Sequence, residues 1–184
     1  MPLSSRLTIL KITFLSTLCM LISACTGIPN GITPVKKFDV NDYLGKWYEI
    51  ARLDHSFEQG LSNVTADYTL NKDGSLKVIN KGWNDSEQHW ESAEGKAKFV
   101  DDKSTGYLKV SFFGPFYGTY AVFYLEPDYS VSLVSGYNSD YFWLLSRKPN
   151  MGQKQINHYI DIAKKHGFYT SKLIYPKHNL ASNN

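Results

Sequence analysis

The chain has 184 residues, of which 42% are hydrophobic and 20% are charged, a composition typical of one globular domain. Its formal charge of +3 falls to +1 (18 basic against 17 acidic residues) once the first 24 residues are removed. A charge this close to zero provides no basic surface for a phosphate backbone, so we expect no nucleic-acid partner. Aromatic residues make up 15% of the chain, which favours β-strands.

Residues 1–24 are predicted to form a lipoprotein signal peptide. Basic residues precede an apolar run from 12 to 22, which is shorter than the roughly 20 residues that a membrane-spanning helix needs. The segment LISAC that follows resembles the lipobox of bacterial lipoproteins. The resemblance implies cleavage before Cys25, acylation of Cys25 and, because Thr26 rather than Asp follows, sorting to the outer membrane, facing the periplasm. The alternative is an ordinary secretory signal in which Cys25 is a chance residue.

Residues 25–37 are expected to be the lipidated N-terminus and a tether. Prolines and glycines interrupt this segment, and no periodic apolar pattern runs through it. Several acyl chains on Cys25 would bind a bilayer stably, whereas a single chain is marginal. The polar tail from 178 to 184 is expected to be loose. The folded domain is therefore predicted to span residues 38–177.

The region from Gly45 to Arg147 contains eight short runs in which apolar and polar residues alternate, with turn signals between them. In one of them Val64, Ala66 and Tyr68 share one face of the predicted strand. Such a series is typical of an antiparallel sandwich or barrel. Eight strands that close into a barrel remove every exposed edge and enclose either side chains or one small ligand.

One amphipathic helix is predicted after the strands. Ile156, Tyr159, Ile160 and Ala163 recur at helical spacing, and Gly167 is placed to end the helix. The apolar stripe has to be covered, and the outer wall of the barrel is the available surface. The segment SKLIY beyond the helix is predicted to add one strand.

Five residues of this pattern connect it with a known family. Gly45 and Trp47 open the first run, Asp140 and Tyr141 precede the last run, and Arg147 ends it. Together with eight strands and one helix, they resemble the motifs of the lipocalin family, and in particular its bacterial outer-membrane members and their animal relatives.

The resemblance covers residues 38 to about 176 and implies an all-β fold. That fold is an eight-stranded antiparallel up-and-down β-barrel, or calyx, with one C-terminal α-helix packed on the outside. It implies a cavity that binds hydrophobic small molecules, in this subgroup lysophospholipids or fatty acids, for lipid storage, transport or envelope maintenance. It also implies that Trp47 lies at the closed end with Arg147 against its indole face.

Strand alternation nominates a set of inward-facing residues as the pocket. These are Ala51, Val64, Ala66, Tyr68, Val78, Asn80, Val110, Phe112, Tyr120, Val122 and Trp143. Small side chains leave volume, rings form walls and a few polar groups remain, which is the usual composition of a small-molecule site. The alternative is that these side chains fill the barrel, and that the protein is a structural or scavenging lipoprotein of the envelope.

Two features near the pocket have more than one interpretation. Glu49 lies on the same predicted strand face as Trp47, and one interpretation is that it balances a lysophospholipid amine or bonds Tyr and Asn neighbours. The favoured interpretation is that it lies near a bulge or meets an inner polar partner without a ligand role, because burial of an unpaired carboxylate is costly. The segment SFFGPFYG is predicted to be a hairpin. Its rings either form an exposed apolar patch for a partner or a membrane, or half of them point into the barrel.

The sequence contains no recognisable catalytic constellation. Its five histidines lack metal-ligand spacing, and there is no Gly-x-Ser-x-Gly motif, phosphate loop or free cysteine nucleophile. We therefore expect a binding protein without cofactor or metal, and an enzyme acting on a lipid is the least favoured alternative. The sequence leaves open whether two copies form a homodimer.

Overall fold

The computed structural model describes residues 27–179, so the predicted signal peptide, Cys25 and residues 180–184 lie outside the described residues. Nine strands form one sheet within that range. They are β1 (Gly45–Leu53), β2 (Leu61–Leu70), β3 (Leu76–Asn84), β4 (His89–Phe99), β5 (Tyr107–Ser111), β6 (Gly118–Leu125), β7 (Val131–Ser135), β8 (Phe142–Ser146) and β9 (Leu173–Ile174).

The sheet closes on itself as an up-and-down barrel. Each strand from β1 to β8 pairs antiparallel with the next, and β1 pairs with both β2 and β8. The eight-stranded antiparallel fold is therefore confirmed. Because neighbouring strands run in opposite directions, the connections alternate between the two ends. We call the end where β1 begins the closed end, and the end with loops 54–60, 85–88, 112–117 and 136–141 the mouth.

A β-bulge in β1 reverses the side-chain phase of that strand. The register of β1 against β8 shifts between Glu49 and Ala51. A bulge inserts one extra residue, so the residues after it change faces. Ala51, predicted to line the pocket, instead packs in the apolar cluster on the outer wall, whereas Arg52 points into the barrel. The pocket assignment of Ala51 was therefore wrong.

The helices lie outside the sheet. A short helix, α1 (Val40–Tyr43), leads into β1, and α2 (Gln153–Lys165) follows the barrel. Tyr159 and Ala163 of α2 are buried against the outer-wall cluster, as their spacing predicted. Beyond a 3₁₀ turn, β9 pairs with β1 and supplies the predicted extra strand. No described helix is long and apolar enough to cross a membrane.

The segment before the barrel does not behave as a free tether. The backbone oxygen of Gly27 accepts a hydrogen bond from Thr119 Oγ1 at 2.9 Å, and Ile32 is buried in the outer-wall cluster. Val35 exchanges backbone hydrogen bonds with the barrel, for example from its N–H to the oxygen of Val122 at 2.8 Å. The described part of this segment, residues 27–37, is thus packed on the wall and the closed end.

The start of the predicted loose tail is also attached. A ring nitrogen of His178 donates to the backbone oxygen of Glu49 at 2.7 Å, beside the bulge of β1. Asn63, which has a positive φ of 53°, donates its backbone N–H to the oxygen of Lys177 at 2.7 Å. Residues 177–179 therefore bind to two irregular points of the barrel wall.

Candidate functional site

The closed end is built around one buried indole. Trp47 has no exposed surface, and its Nε1–H donates to the backbone oxygen of Tyr43 at 2.9 Å. The Arg147 guanidinium carbon lies 3.9 Å from the indole centroid, a cation–π contact. Gly45 has a φ of +85°, which favours glycine, so the chain can turn tightly beneath this pair.

Arg147 also donates hydrogen bonds to three chain segments at the closed end. Its Nη1 donates to the oxygen of Lys46 at 2.9 Å, its Nη2 to that of Asp42 at 2.7 Å and its Nε to that of Tyr129 at 3.3 Å. The sequence expectation for Gly45, Trp47 and Arg147 as a structural motif agrees with this geometry.

Asp140 and Tyr141, the other predicted motif residues, lie at the opposite end of the barrel. Tyr141 stacks near His55 of the mouth, with ring centroids 5.8 Å apart. The Asp-Tyr pair next to Arg147 is instead Asp128 and Tyr129 in the β6–β7 turn. The assignment of Asp140 and Tyr141 to the motif was wrong, because two Asp-Tyr pairs flank β7 and the sequence does not show which turn faces Arg147.

A layer of tyrosine hydroxyls lies near Trp47 at the closed end, where the Tyr43 ring is centred 4.8 Å from the indole. The hydroxyl oxygens of Tyr43 and Tyr120 are 2.7 Å apart, Tyr68 donates to Tyr120 at 2.8 Å, and Ser132 Oγ is 3.1 Å from Tyr43. Burial raises the pKa of Tyr43 to about 12, and it raises the pKa values of Tyr68 and Tyr120 as well. These neutral hydroxyls satisfy one another and form the floor of the interior.

Most predicted pocket residues lie on the inner wall, with Tyr68, Tyr120 and, opposite Tyr68, Val78 at the level of the floor. The interior cluster that contains Trp47 also contains Ala66, Tyr68, Val78, Val110, Phe112, Tyr120, Val122 and Trp143. Asn80 is directly opposite Ala66 in the β2–β3 ladder and therefore shares its face. Val64 is 3% exposed and approaches Gly82, two residues beyond Asn80 on the same face. Apart from Ala51, the predicted set is brought together.

Polar groups in this interior are few. The Oδ1 atom of Asn80 is buried and has no hydrogen-bond partner within residues 27–179. Such an atom is costly to bury and gains free energy from any donor that reaches it. Asn80 thus provides an acceptor for a polar group of a bound molecule.

A buried ionic cluster at the mouth was missed by the sequence analysis. Arg52 Nη1 donates to Glu49 Oε1 at 2.6 Å, and Arg52 Nη2 donates to the backbone oxygen of Glu58 at 2.6 Å. Glu58 Oε2 is 3.1 Å from His55 Nε2 and accepts from Trp143 Nε1 at 3.1 Å. Glu49 was expected to lie near a bulge or to meet an inner polar partner, and both features are present here.

The pKa values of the two carboxyl groups in the cluster are shifted in opposite directions. Burial raises the pKa of Glu49 well above its ordinary value, and the nearby Glu58 raises it further against the opposing effect of Arg52. Burial also acts to raise the pKa of Glu58, but the interactions with His55, the hydrogen bond from Trp143 and the charge of Arg52 together lower it. The two shifts have opposite directions, so Glu58 is the stronger acid of the two carboxyl groups.

The loop between β1 and β2 covers part of the mouth. His55 stacks on Phe57 with ring centroids 4.0 Å apart and lies 5.1 Å from the Trp143 ring. The ionic cluster holds this loop against the inner wall. The one sequence signal for the ionic cluster was Glu49, a charged residue on the same predicted strand face as Trp47, with Arg52 three residues later.

Three potential metal ligands meet on the β3–β4 hairpin. Donor atoms of Glu87, His89 and Glu91 lie within 4.8 Å of one another. Glu87 and His89 are exposed, and Glu91 already accepts from Asn84 Nδ2 at 2.6 Å. Exposed acidic groups of this kind are common without a metal, and the cluster lies outside the barrel, so it takes no part in the interior site.

Two concavities lie on the outer surface of the described chain. One, of about 400 Å³, is lined by residues 37–40 with Lys103 and Ser104, and another, of about 380 Å³, lies beside α2. Neither contains a predicted pocket residue.

Comparison with known families decides how this architecture is classified. The family model described as "Lipocalin-like domain" matches residues 38–178, which is most of the chain and the whole of the barrel and helix. The chain belongs to the lipocalin family. The resemblance stated from the sequence is therefore confirmed.

Named relatives of this lipocalin include bacterial and animal proteins. It is 51% identical over 163 residues to "Outer membrane lipoprotein Blc" of Vibrio cholerae serotype O1, covering 88% of this chain and 95% of the relative. It is 47% identical over 162 residues to the protein of that name from Escherichia coli K12, covering 87% and 92%. Bovine apolipoprotein D is 31% identical, with 76% and 77% covered.

Solved structures support the fold at lower sequence identity. Insecticyanin from the tobacco hornworm Manduca sexta superimposes with a TM-score of 0.65 at 20% identity, covering 85% of this lipocalin and 88% of that chain. A cockroach allergen, Per a 4, gives a TM-score of 0.64 at 17% identity, covering 83% and 95%.

Proposed function

We propose that this lipocalin is an outer-membrane lipoprotein that binds a single-chain lipid, a lysophospholipid or a fatty acid, inside the barrel. The observation that carries the proposal is the inner wall, where apolar side chains such as Ala66, Val78 and Val110 surround few polar groups. Acyl chains suit such a wall because each buried methylene contributes about 0.8 kcal/mol. The role would be lipid storage, transport or maintenance of the envelope.

Asn80 supports a ligand with a polar end. Its unpartnered Oδ1 would accept a hydrogen bond from the glycerol hydroxyl or the ammonium group of a lysophospholipid. A fatty acid carboxylate offers no such donor when ionised. Binding rather than catalysis is proposed, since the tyrosine hydroxyls and the Arg52–Glu49 pair are hydrogen-bonded among themselves and, among the described interior groups, no nucleophile is paired with a base.

Attachment to the membrane is proposed to occur through acylated Cys25. The sequence LISAC precedes it, and several relatives carry the name outer membrane lipoprotein. Cleavage would remove residues 1–24 and leave Cys25 as the first residue of the mature protein. The barrel would then face the periplasm.

Titration of lipid-free protein tests the proposed ligand. The mature chain from residue 25, made without the signal peptide and with Cys25→Ser, is delipidated and titrated with lysophosphatidylethanolamine and with oleate. We expect saturable binding at about micromolar concentration or below, with quenching of tryptophan fluorescence from Trp143. No saturable binding of either lipid would contradict the proposal.

A matched pair of variants locates the bound lipid. Val78 is 2% exposed and faces inward, whereas Ile79 follows it on the outer face. Val78→Phe should reduce affinity at least about tenfold, because one buried ring displaces several methylenes of ligand. Ile79→Phe should leave the affinity unchanged. Circular dichroism confirms that both variants fold.

A filled barrel remains the second candidate. The layer of tyrosine hydroxyls occupies the lower interior, and the two concavities described above lie outside it. If neither lipid binds and a structure determined with excess lysophospholipid shows the same side-chain packing, a structural role in the envelope is favoured.

A further inference from the structure

The tip of the β5–β6 hairpin exposes two phenylalanines that the barrel does not use. Phe113 is 79% exposed and Phe116 is 75% exposed, more than any other large apolar side chain among residues 27–179. Neither belongs to the interior cluster or to the outer-wall cluster. Bare rings at neighbouring positions of one tip are typical of a surface that meets another apolar phase.

The start of the described chain lies at the base of this hairpin. Gly27 is bonded to Thr119, the second residue of β6, which follows the hairpin tip directly. Cys25 is two residues before Gly27 in the sequence, and two residues of extended backbone span at most about 7 Å. Acyl chains on Cys25, as proposed above, would therefore enter the bilayer beside Phe113 and Phe116.

The charges around the hairpin favour an anionic lipid surface. Lys98 and Lys109 place their Nζ atoms 5.6 and 5.5 Å from the Tyr117 ring at the base of the tip. The hairpin with its two strands, residues 107–125, contains no Asp or Glu. Lysines near a bilayer are attracted to anionic phospholipids, and amphipathic rings such as Tyr117 prefer the headgroup level.

We propose that Phe113 and Phe116 insert into the interfacial layer of an anionic phospholipid bilayer, next to the acylated Cys25. The inference rests on the proposed lipid anchor for the orientation of the molecule. It deepens the proposed function, because the hairpin is one of the mouth loops and its insertion brings the mouth to the membrane from which a single-chain lipid would enter.

Vesicle binding by the unlipidated protein tests the inference. The mature chain with Cys25→Ser carries no acyl chain, so any binding comes from the protein surface. It is sedimented with vesicles of phosphatidylethanolamine and phosphatidylglycerol, and with vesicles of phosphatidylcholine alone. We expect binding to the anionic vesicles, and at least about tenfold weaker binding after Phe113→Ser together with Phe116→Ser, because both rings lose their burial.

The matched control uses exposed rings far from the hairpin. Tyr169 and Tyr175 are 63% and 50% exposed in the C-terminal segment, and their replacement by Ser should leave vesicle binding unchanged. Lys98→Gln together with Lys109→Gln should weaken binding to anionic vesicles and leave the weak binding to phosphatidylcholine unaltered.

Three results would overturn the inference. The first is vesicle binding by the Phe113→Ser/Phe116→Ser variant that equals binding by the parent protein. The second is a loss of vesicle binding in the tyrosine control that equals the loss in the phenylalanine variant. The third is self-association in solution that depends on the hairpin while vesicle binding is unaffected by the substitutions. Lysophospholipid titration of the same variant separates the two proposals. If the variant binds lysophospholipid but no longer binds vesicles, the inference is supported. If the variant loses vesicle binding and neither the parent nor the variant binds lysophospholipid, only the proposed function is refuted.

Discussion

Arg147 stabilises the closed end by combining a cation–π contact with hydrogen bonds to three backbone oxygens. Only a planar guanidinium can place its donors in a fixed fork while its face covers the indole of Trp47. A lysine keeps the charge but loses this geometry, so the segments around Lys46, Asp42 and Tyr129 would be held less tightly.

Arg147→Lys should therefore lower the free energy of unfolding by about 2 kcal/mol, the value of one or two lost charged hydrogen bonds. Urea denaturation followed by fluorescence measures the change. Lys148→Arg, at the neighbouring residue, serves as the control and should change stability by less than about 0.5 kcal/mol. An unchanged urea midpoint for Arg147→Lys would show that the hydrogen-bond geometry of the guanidinium contributes nothing to stability.

Glu58 gives the mouth cluster a predictable pH dependence. Its pKa is lowered in the folded protein, so its stabilisation is present above the unfolded pKa of about 4.3 and is lost as the pH falls through the folded value. Glu58→Gln should cost about 2 kcal/mol at neutral pH, and the difference from the parent should shrink in acid.

Thermal unfolding of both proteins between neutral and acidic pH checks this prediction. Glu87→Gln on the exposed β3–β4 hairpin is the control and should follow the parent at every pH. A constant difference between the parent and Glu58→Gln across the pH range would mean that the carboxylate of Glu58 is not the stabilising species.

Residue-level prediction from the sequence succeeded where chemistry and spacing were local. The family resemblance pointed to Trp47 and Arg147, and strand parity placed Tyr68, Val78 and Val110 inside. Residue-level prediction failed where the role of a residue depends on neighbours that are brought together only by the fold. Arg52, His55 and Glu58 form one cluster only because the mouth loop folds back over β1, and no periodicity in the sequence records that contact.

At the level of the element, the bulge in β1 determines what each side of the strand contacts. Up to Glu49 the odd residues face inward, and after the bulge Arg52 faces inward while Ala51 packs on the outer wall opposite Leu144. A bulge is one extra residue in an otherwise regular pattern, so alternation alone does not reveal it. The choice of the wrong Asp-Tyr turn has a different cause, since an Asp-Tyr pair lies on each side of β7.

Two alanine substitutions separate the two faces. Ala51 has no exposed surface on the outer wall, so Ala51→Leu should destabilise the protein by about 1–3 kcal/mol through overpacking and leave lysophospholipid affinity unchanged. Ala66 faces the interior, so Ala66→Leu should reduce affinity with a smaller effect on stability.

Isothermal titration and urea denaturation of both variants provide the two readouts. If Ala51→Leu reduced affinity and Ala66→Leu did not, the phase of β1 after the bulge would be the reverse of that described here.

At the level of the whole molecule, the barrel has two ends with different tasks. The closed end is sealed by Phe38, Trp47 and the segment around Val35, and the mouth carries the ionic cluster and the exposed hairpin. The number of strands, the helix and its packing on the outer wall followed from the sequence, because antiparallel barrels and amphipathic helices have strong local patterns. The docking of residues 27–37 on the wall did not, since a segment with prolines and glycines carries no periodicity.

The most direct test of the central claim is to identify what the barrel holds in the cell. Full-length protein is extracted from its own membrane in mild detergent, and native mass spectrometry measures the lipid that stays bound, with Val78→Phe as the comparison. We predict one single-chain lipid per wild-type chain beyond the acyl groups of Cys25, and little or none in the variant. An empty wild-type barrel, or the same lipid in the same amount in both proteins, would contradict the account.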